Sequence, residues 1–366
     1  MGFGAEFVPL YAAHPGVGRV ALVEPDERLL TNVGERFGIA DRFGSTAELL
    51  GTDAWDAVHV LAPVAHHASL AVGVLDSGRH CACAVPMATE LDDLHRIVDA
   101  AARSSRVYMM METSVYAREY FRAEEMLAGG ELGEITFYRG GHVQNLDGFP
   151  EYWQGFPPMK YLTHALSPLL GLTGRTVRDV RCLGSGRLPR PSIGFDNPYP
   201  LETGLFRLDG DDDLIAEVTM SFFSTARSFY ESFCVYGTRA SLEWPQLDDE
   251  YPAEFRFTEE VASGRGRPVR VARVEPADRT DTLPPELAPF VRTATYQPPG
   301  RLLPVQTGGG HGGSHPHLVH EFVSSILEGR ASAIDAVTAA SWTAPGICAH
   351  DSAVHGGAVV EVPRFG

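Results

Sequence analysis

Lys160 and His164 stand four residues apart at the start of an apolar stretch, in the run Lys160-Tyr161-Leu162-Thr163-His164. A histidine can take a proton near neutral pH, and a neighbouring ammonium can stabilise a developing alkoxide. At that spacing both side chains share one face if the helical turn has already formed. A histidine near a helix start can equally satisfy open backbone groups, so the pair alone leaves both roles standing.

A second chemical pattern opens the chain. Met1-Gly2-Phe3-Gly4 is followed by the apolar-rich stretch Ala5–His14 and a predicted strand Val20–Val23 that ends on Glu24. Glycines let a backbone turn tightly and approach a pyrophosphate, and a carboxylate about 20 residues further on can bind ribose hydroxyls. With Gly2 as the second glycine of such a fingerprint and Ala5 as its third small position, the first glycine and the strand leading into it would precede Met1. Glu24 would repel a 2′-phosphate, so NAD is expected over NADP.

Three further segments carry polar groups. Ala62-Pro63-Val64-Ala65-His66-His67 follows an apolar strand at its C-terminal end, the edge at which open parallel sheets bind ligands. A capped turn with two exposed histidines fits the same residues. Gly308–His317 is a glycine-rich loop bearing His311, His315 and His317, suited to presenting polar donors to a substrate. No carboxylate or cysteine completes a metal-ligand set beside them, and a plain linker is the bland reading. Glu112, Thr113, Ser114 and Tyr116 fall at the junction of two predicted domains, as part of a ligand site or as a hinge.

The elements that must position these residues come in two textures. Up to about Glu112, apolar strands alternate with amphipathic helices. Predicted helices run Asp26–Phe37, Thr46–Leu50, Ala65–Ser77 and Glu90–Ser104; predicted strands are Ala57–Leu61, His80–Ala84 and Val107–Met111. That alternation signals an α/β, doubly wound parallel sheet, less its first strand. After a predicted helix Arg118–Leu127, strands dominate: Ile135–Gly140, Val177–Leu183, Leu214–Phe223, Ser228–Tyr236 and Ala240–Trp244. This predicts an α+β domain with a large, mostly antiparallel sheet. Leu188–Pro200 and Pro284–Gly313 read as loops, and helices His317–Glu328 and Ala333–Ala349 close the chain. The expected domains are residues 1–112 and 113–366.

Composition bounds the partners. The 366 residues suffice for two domains, and 44% hydrophobic content supports real cores. With 30 basic against 47 acidic side chains, a net charge of −17 argues against nucleic acid and anionic membrane surfaces. It does not exclude an anionic cofactor, which backbone amides can hold. No apolar run reaches the ~18 residues of a membrane span, and no signal peptide is read at the N-terminus. The five cysteines are scattered and odd in number, as expected of free thiols in a cytoplasmic protein. Cys81 and Cys83 read as buried packing rather than metal ligands.

Taken together, these segments resemble the Gfo/Idh/MocA oxidoreductases, a two-domain group that binds nicotinamide dinucleotides and mostly acts on sugars and cyclitols. The resemblance rests on Gly2-Phe3-Gly4, Glu24, Pro63-x-x-x-His67, the Asp76–His80 turn, Ala84-Val85-Pro86, Gly133-Glu134-Ile135 and the closing helices. Two positions depart from the family's best-known form. Val85 stands where that form has a lysine beside the nicotinamide, and Lys160-x-x-x-His164 replaces Asp-x-x-x-His. Met109–Tyr116, Tyr161-x-Thr163-His164 and Gly310-His311-Gly312-Gly313 are similar to segments of the family's NAD-dependent glycosidases, a branch that tends to have Val-Pro.

The resemblance implies an NAD-dependent enzyme that moves a hydride between nicotinamide and a sugar, glycoside or cyclitol hydroxyl carbon. Gly2, Phe3, Gly4, Glu24, Ala62, Pro63, His67, Val85 and Pro86 would bind the cofactor. His164 would be the general base, with Lys160 or Tyr116 stabilising the alkoxide. Glu112, Tyr161, His311, His315 and His317 would grip the substrate. Redox-neutral glycoside cleavage and a non-catalytic sugar or nucleotide binder are the alternatives. A homodimer or homotetramer, paired through the open sheet face, is implied by the resemblance alone. For the missing first strand two expectations stand: a start placed about eight residues too late, or a real loss with weak NAD binding.

Overall fold

The computed structural model describes residues 3–188, 195, 197–245, 247, 250–258, 266–301 and 303–366. Gly2 and most of the predicted Leu188–Pro200 loop lie outside them. The chain forms two compact units. The first holds Met1–Ala88, Asp92–Arg118 and Asp278–Ala339; the second holds Thr89–Leu91, Glu119–Ala277 and Ala340–Gly366.

The first unit opens on a 3-10 turn, Phe3–Glu6, and helix α1 (Val8–Ala13). Then β1 (Ala21–Val23), α2 (Glu27–Phe37), β2 (Asp41–Phe43), α3 (Thr46–Leu50), β3 (Ala57–Val60), α4 (His67–Asp76), β4 (His80–Cys83), α5 (Leu91–Ser104) and β5 (Tyr108–Met110) alternate. The helix starts follow from side-chain caps. Asp26 accepts the Leu29 amide at 3.0 Å and Ser45 the Glu48 amide at 3.2 Å. Gly38, at φ 71°, ends α2 in the left-handed region that glycine adopts without a Cβ penalty. β1 pairs with β2, and β3–β4–β5 form a second sheet, every pairing parallel. The predicted helix Ala65–Ser77 divides at its start: Val64–His66 is a 3-10 turn, and α4 begins at His67.

The second unit continues with α6 (Arg118–Ala128), β6 (Ile135–Gln144), α7 (Thr163–Thr173), β7 (Val177–Ser185), β8 (Leu201–Leu208), β9 (Ile215–Ser221), β10 (Phe229–Gly237), β11 (Ala240–Glu243), β12 (Ala253–Phe257) and β13 (Val269–Arg273). Asp278–Ala339 then returns to the first unit with the hairpin β14 (Ala294–Tyr296) and β15 (Val305–Thr307), followed by α8 (His315–Glu328). The chain closes with α9 (Ala336–Val354) and β16 (Val360–Glu361). The second unit's sheet has nine strands in the order β13-β12-β11-β10-β6-β9-β8-β7-β16. β6 and β9 run parallel and the other neighbours antiparallel. α7 is apolar on nearly every side because it lies on β6, β9 and β10.

The two units differ from a single cut after residue 112, for a packing reason. Phe7, just before α1, and Leu10 on α1 share one core with Met109 and Met111, and with Leu318, Val319, Phe322 and Val323 on α8. α8 completes the cover of the apolar face of α1.

Candidate active site

β6 and β10 set His142 and Glu231 directly opposite each other across the ladder. α7 lies on this pair of strands and adds His164 near its first turn. Glu231 Oε2 is 3.6 Å from Nδ1 of His142 and 3.6 Å from Nδ1 of His164. The two imidazoles stack with centroids 5.3 Å apart and planes 14° apart. All three side chains are buried, His142 at 1% exposure. Tyr161 packs on both rings, at 5.0 Å from His164 and 5.9 Å from His142, and Phe222 and Phe229 close on His142 edge-on.

Two glycines permit this approach. A Cβ at Gly140 would collide with the Ala165 carbonyl oxygen, and one at Gly141 would sit 2.6 Å from the Tyr230 hydroxyl. Tyr138, on the same face as Gly140, donates its hydroxyl to Ala165 O at 2.8 Å. The bare backbone at Gly140 therefore brings α7 down onto β6, and His142, two residues on, meets His164.

The turn that carries Lys160 and Tyr161 is a 3-10 segment, Pro158–Tyr161, and α7 starts only at Thr163. Lys160 and His164 consequently do not share a helical turn. Lys160 Nζ donates to Glu90 Oε1 at 2.7 Å, whereas His164 faces Glu231. The turn is anchored by Glu202, a fully buried carboxylate on β8. Its Oε2 accepts the Met159 amide at 2.8 Å, and its Oε1 lies 2.7 Å from His350 Nδ1 on α9.

In the first unit, Phe3 and Gly4 occupy the opening 3-10 turn, and a Cβ at Gly4 would make only ordinary contact with Leu61 at 3.4 Å. Glu24 follows β1, donates its amide to Phe43 O at 3.1 Å, and accepts the Asp26 amide on Oε1 at 3.1 Å. His67 is 1% exposed; its Nδ1 lies 2.8 Å from Pro86 O and its Nε2 2.9 Å from Ala62 O. It ties together the turns after β3 and β4, including the cis Val85–Pro86 peptide. Burial lowers its pKa, and the two carbonyls oppose that shift. Of the two neighbouring histidines, only His66 is exposed.

Glu112 is fully buried and accepts the Ser114 amide on Oε1 at 3.0 Å, and Tyr116 packs against the first unit's core. His315 and His317 belong to α8 rather than to the glycine loop. His315 Nδ1 is 3.5 Å from Glu6 Oε2, and its ring packs on Phe3, Phe7 and His311. Burial, reinforced by His311 and His59, holds its pKa well below the ordinary value. His317 Nε2 lies 3.1 Å from Asp278 O, and burial lowers its pKa to about 4. His311 stays on the 3-10 turn His311–Gly313 with φ 45°. The structure thus distributes the candidates. His164, Lys160 and Tyr161 are in the second unit; the described cofactor candidates and Glu112, Tyr116, His311, His315 and His317 are in the first.

Sequence reasoning missed His142, Glu231 and Glu202. A signal existed for the first: two adjacent glycines inside a strand mark close backbone approach, and His142 follows them directly.

The first unit's donor set fits a nicotinamide dinucleotide. A carboxylate, Glu24, follows β1, a small residue sits in the opening turn, and backbone turns fixed by His67 lie at the C-terminal ends of β3 and β4. The class is an NAD-binding Rossmann fold, and residues 2–112 match the model of that oxidoreductase family. Over this segment, under a third of its length, the chain is similar to the Gfo/Idh/MocA oxidoreductases. Glycosyl hydrolase family 109 protein 1 of Phocaeicola vulgatus is 26% identical over 190 residues, 45% of this chain and 39% of that protein. The protein of the same name from Bacteroides thetaiotaomicron is 28% identical over 130 residues, 33% of this chain and 28% of that one. The matched stretch therefore spans well under half the length of these relatives. Levoglucosan dehydrogenase, solved with NADH and L-sorbose, superposes with a TM-score of 0.76 at 19% identity, covering 99% of this chain and 96% of that one. That likeness establishes the two-part fold. No helix among the described residues is long and apolar enough to cross a membrane.

Proposed function

We propose that this protein is an NAD-dependent oxidoreductase acting on a hydroxyl carbon of a sugar, glycoside or cyclitol. The observation that carries the reading is His164: a buried imidazole between a carboxylate, Glu231, and the aromatic ring of Tyr161. Phe3, Gly4, Glu24, Ala62, Pro63, Val85 and Pro86, with His67 fixing the turns, would hold the cofactor, and Gly2 belongs to the same expectation. A bound nicotinamide supplies the hydride acceptor. His164 takes the substrate hydroxyl proton, and Glu231 compensates the imidazolium that results. Tyr161 orients the hydroxyl. Lys160, held by Glu90, is the cation assigned to the developing alkoxide, with Tyr116 as the other candidate. Glu112, His311, His315 and His317 belong to the same expectation as residues that grip the substrate.

A second reading, redox-neutral cleavage of a glycoside, is favoured by the names of the two bacterial relatives. NAD-loaded protein incubated with a panel of sugars, cyclitols and aryl glycosides separates the readings. Net change in reduced-nicotinamide absorbance supports the dehydrogenase. Glycoside release without net change supports cleavage. No consumption of any substrate overturns both. His164→Ala is expected to abolish turnover while leaving NAD binding intact.

A further inference from the structure

A path of aromatic rings leads from the surface of the second unit to His164. Tyr152, 49% exposed, meets Trp153 at 5.9 Å between centroids, and Trp153, half-buried, meets Tyr161 at 5.6 Å. Tyr161 in turn lies 5.0 Å from His164. We infer that Trp153, continued outward by Tyr152, is the platform on which the C–H face of the substrate ring stacks. It is thereby the specificity-determining residue that favours ring-closed sugars and cyclitols over open-chain polyols. The inference rests on the reading of His164 as base and gives that base the shape of its substrate.

The loop that carries the platform is held in place before any ligand arrives. Gln154 Nε2 donates to Leu146 O at 3.1 Å and to Phe149 O at 3.0 Å, folding the loop back on itself. The Leu146 amide donates to Phe222 O at 2.8 Å, and Asp147 Oδ2 accepts the Ser224 amide at 3.2 Å. Trp153 ends the 3-10 turn Glu151–Trp153, its amide on Pro150 O at 2.9 Å. Its indole stands nearly perpendicular to Tyr161, at 81°, and at 67° to the buried Phe156. A platform fixed in this way costs little ordering when a ligand binds.

Exposed aromatic surface that runs into a buried polar site is the usual lining of a ligand groove. The ligand chemistry follows from the rings. A pyranose or cyclitol carries hydroxyls round its rim and C–H bonds toward its faces. Those C–H groups are weakly positive, and the face of an indole is negative. An open-chain polyol has the same hydroxyls but no fixed C–H face, and it loses more rotational freedom in lying flat. Tyr161 stands between Trp153 and His164, so a ring on the platform meets the base through its rim hydroxyls.

The test measures binding to full-length, NAD-loaded protein by calorimetry. The ring-closed probes are methyl glucopyranoside, methyl galactopyranoside and myo-inositol; the open-chain probes are sorbitol and galactitol. In the wild type, a ring-closed probe is expected to bind more tightly than either polyol. Trp153→Ala is expected to weaken that probe about fivefold, with polyol binding, NAD binding and Tm unchanged. Trp153→Phe is expected to restore most of the loss, and Tyr152→Ala to cost about twofold. In turnover the loss falls on KM rather than kcat. Equal affinity for rings and polyols in the wild type overturns the platform, as does binding of no probe. An equal loss for both in Trp153→Ala, or no loss, also overturns it. Should Trp153→Ala fail to fold, unchanged ring binding in Tyr152→Ala overturns it instead. If His164→Ala retains turnover, the base assignment falls, while a ring-selective loss in Trp153→Ala still supports the platform. If His164→Ala is inactive and Trp153→Ala binds rings as the wild type does, the platform alone falls.

Discussion

Gly140 faces the carbonyl oxygen of Ala165 with no room for a Cβ between them. Strand β6 and helix α7 touch backbone to backbone at that point, and the meeting of His142 with His164 depends on it. Gly140→Ala is expected to push α7 off the sheet, at a cost of about 1–3 kcal/mol. A fall in the urea midpoint together with loss of turnover checks this. Full activity at unchanged stability would show that the helix position does not matter to the site.

Glu202 joins three elements: β8, α9 through His350, and the turn Pro158–Tyr161 through the Met159 amide. Glu202→Ala leaves a buried imidazole and a buried amide without their acceptor. The expected loss is about 3–5 kcal/mol, measured by urea unfolding. Because the turn carries Tyr161, Glu202→Gln, which keeps one acceptor, is expected to raise KM more than it lowers stability.

Acid should weaken the first unit. Burial lowers the pKa of His59 to about 3, helped by His67, and that of His14 to about 4, helped by His320. His317 is lowered to about 4, again by burial. In each case the unfolded chain binds the proton more readily than the folded one. The stability these histidines contribute is therefore fully present above about pH 6.5 and is lost as pH falls toward 4 and below. Thermal unfolding is expected to begin about 5 °C lower at pH 5 than at pH 7, a loss on the order of 2 kcal/mol. A pH-independent onset would contradict this.

Glu24 is the proposed discriminator between the two nicotinamide dinucleotides. Glu24→Ala is expected to weaken NAD about tenfold, near 1.4 kcal/mol, and to narrow the preference over NADP. Titration of each cofactor by intrinsic fluorescence measures both. An unchanged ratio of affinities would remove Glu24 from the ribose site.

The first unit was legible in sequence where local rules agree. Asp26, Ser45 and Gly38 mark helix ends by side-chain chemistry that tertiary contacts do not override. β8 was not legible. Its inward positions are Glu202, Gly204, Phe206 and Leu208, so a carboxylate and a glycine break the apolar alternation that marks a strand. The buried carboxylate finds its partners in His350, on α9, and the Met159 amide. The same limit hid half of the candidate site. His164 was visible because an apolar helix frames it, but Glu231 takes its meaning from its register opposite His142, which is a property of the folded sheet. Lys160 was paired with His164 by spacing alone; the 3-10 turn rotates it toward Glu90.

The return of Asp278–Ala339 to the first unit has a consequence during synthesis. Phe7 and Leu10 leave the ribosome long before the α8 side chains that share their core, Leu318 to Val323, which are translated only after every strand of the nine-stranded sheet except β16. Until then the nascent chain carries α1 without the α8 part of its cover. A chaperone that shields such surfaces would act on this interval, and a ribosome stalled before α8 would release a chain prone to aggregate.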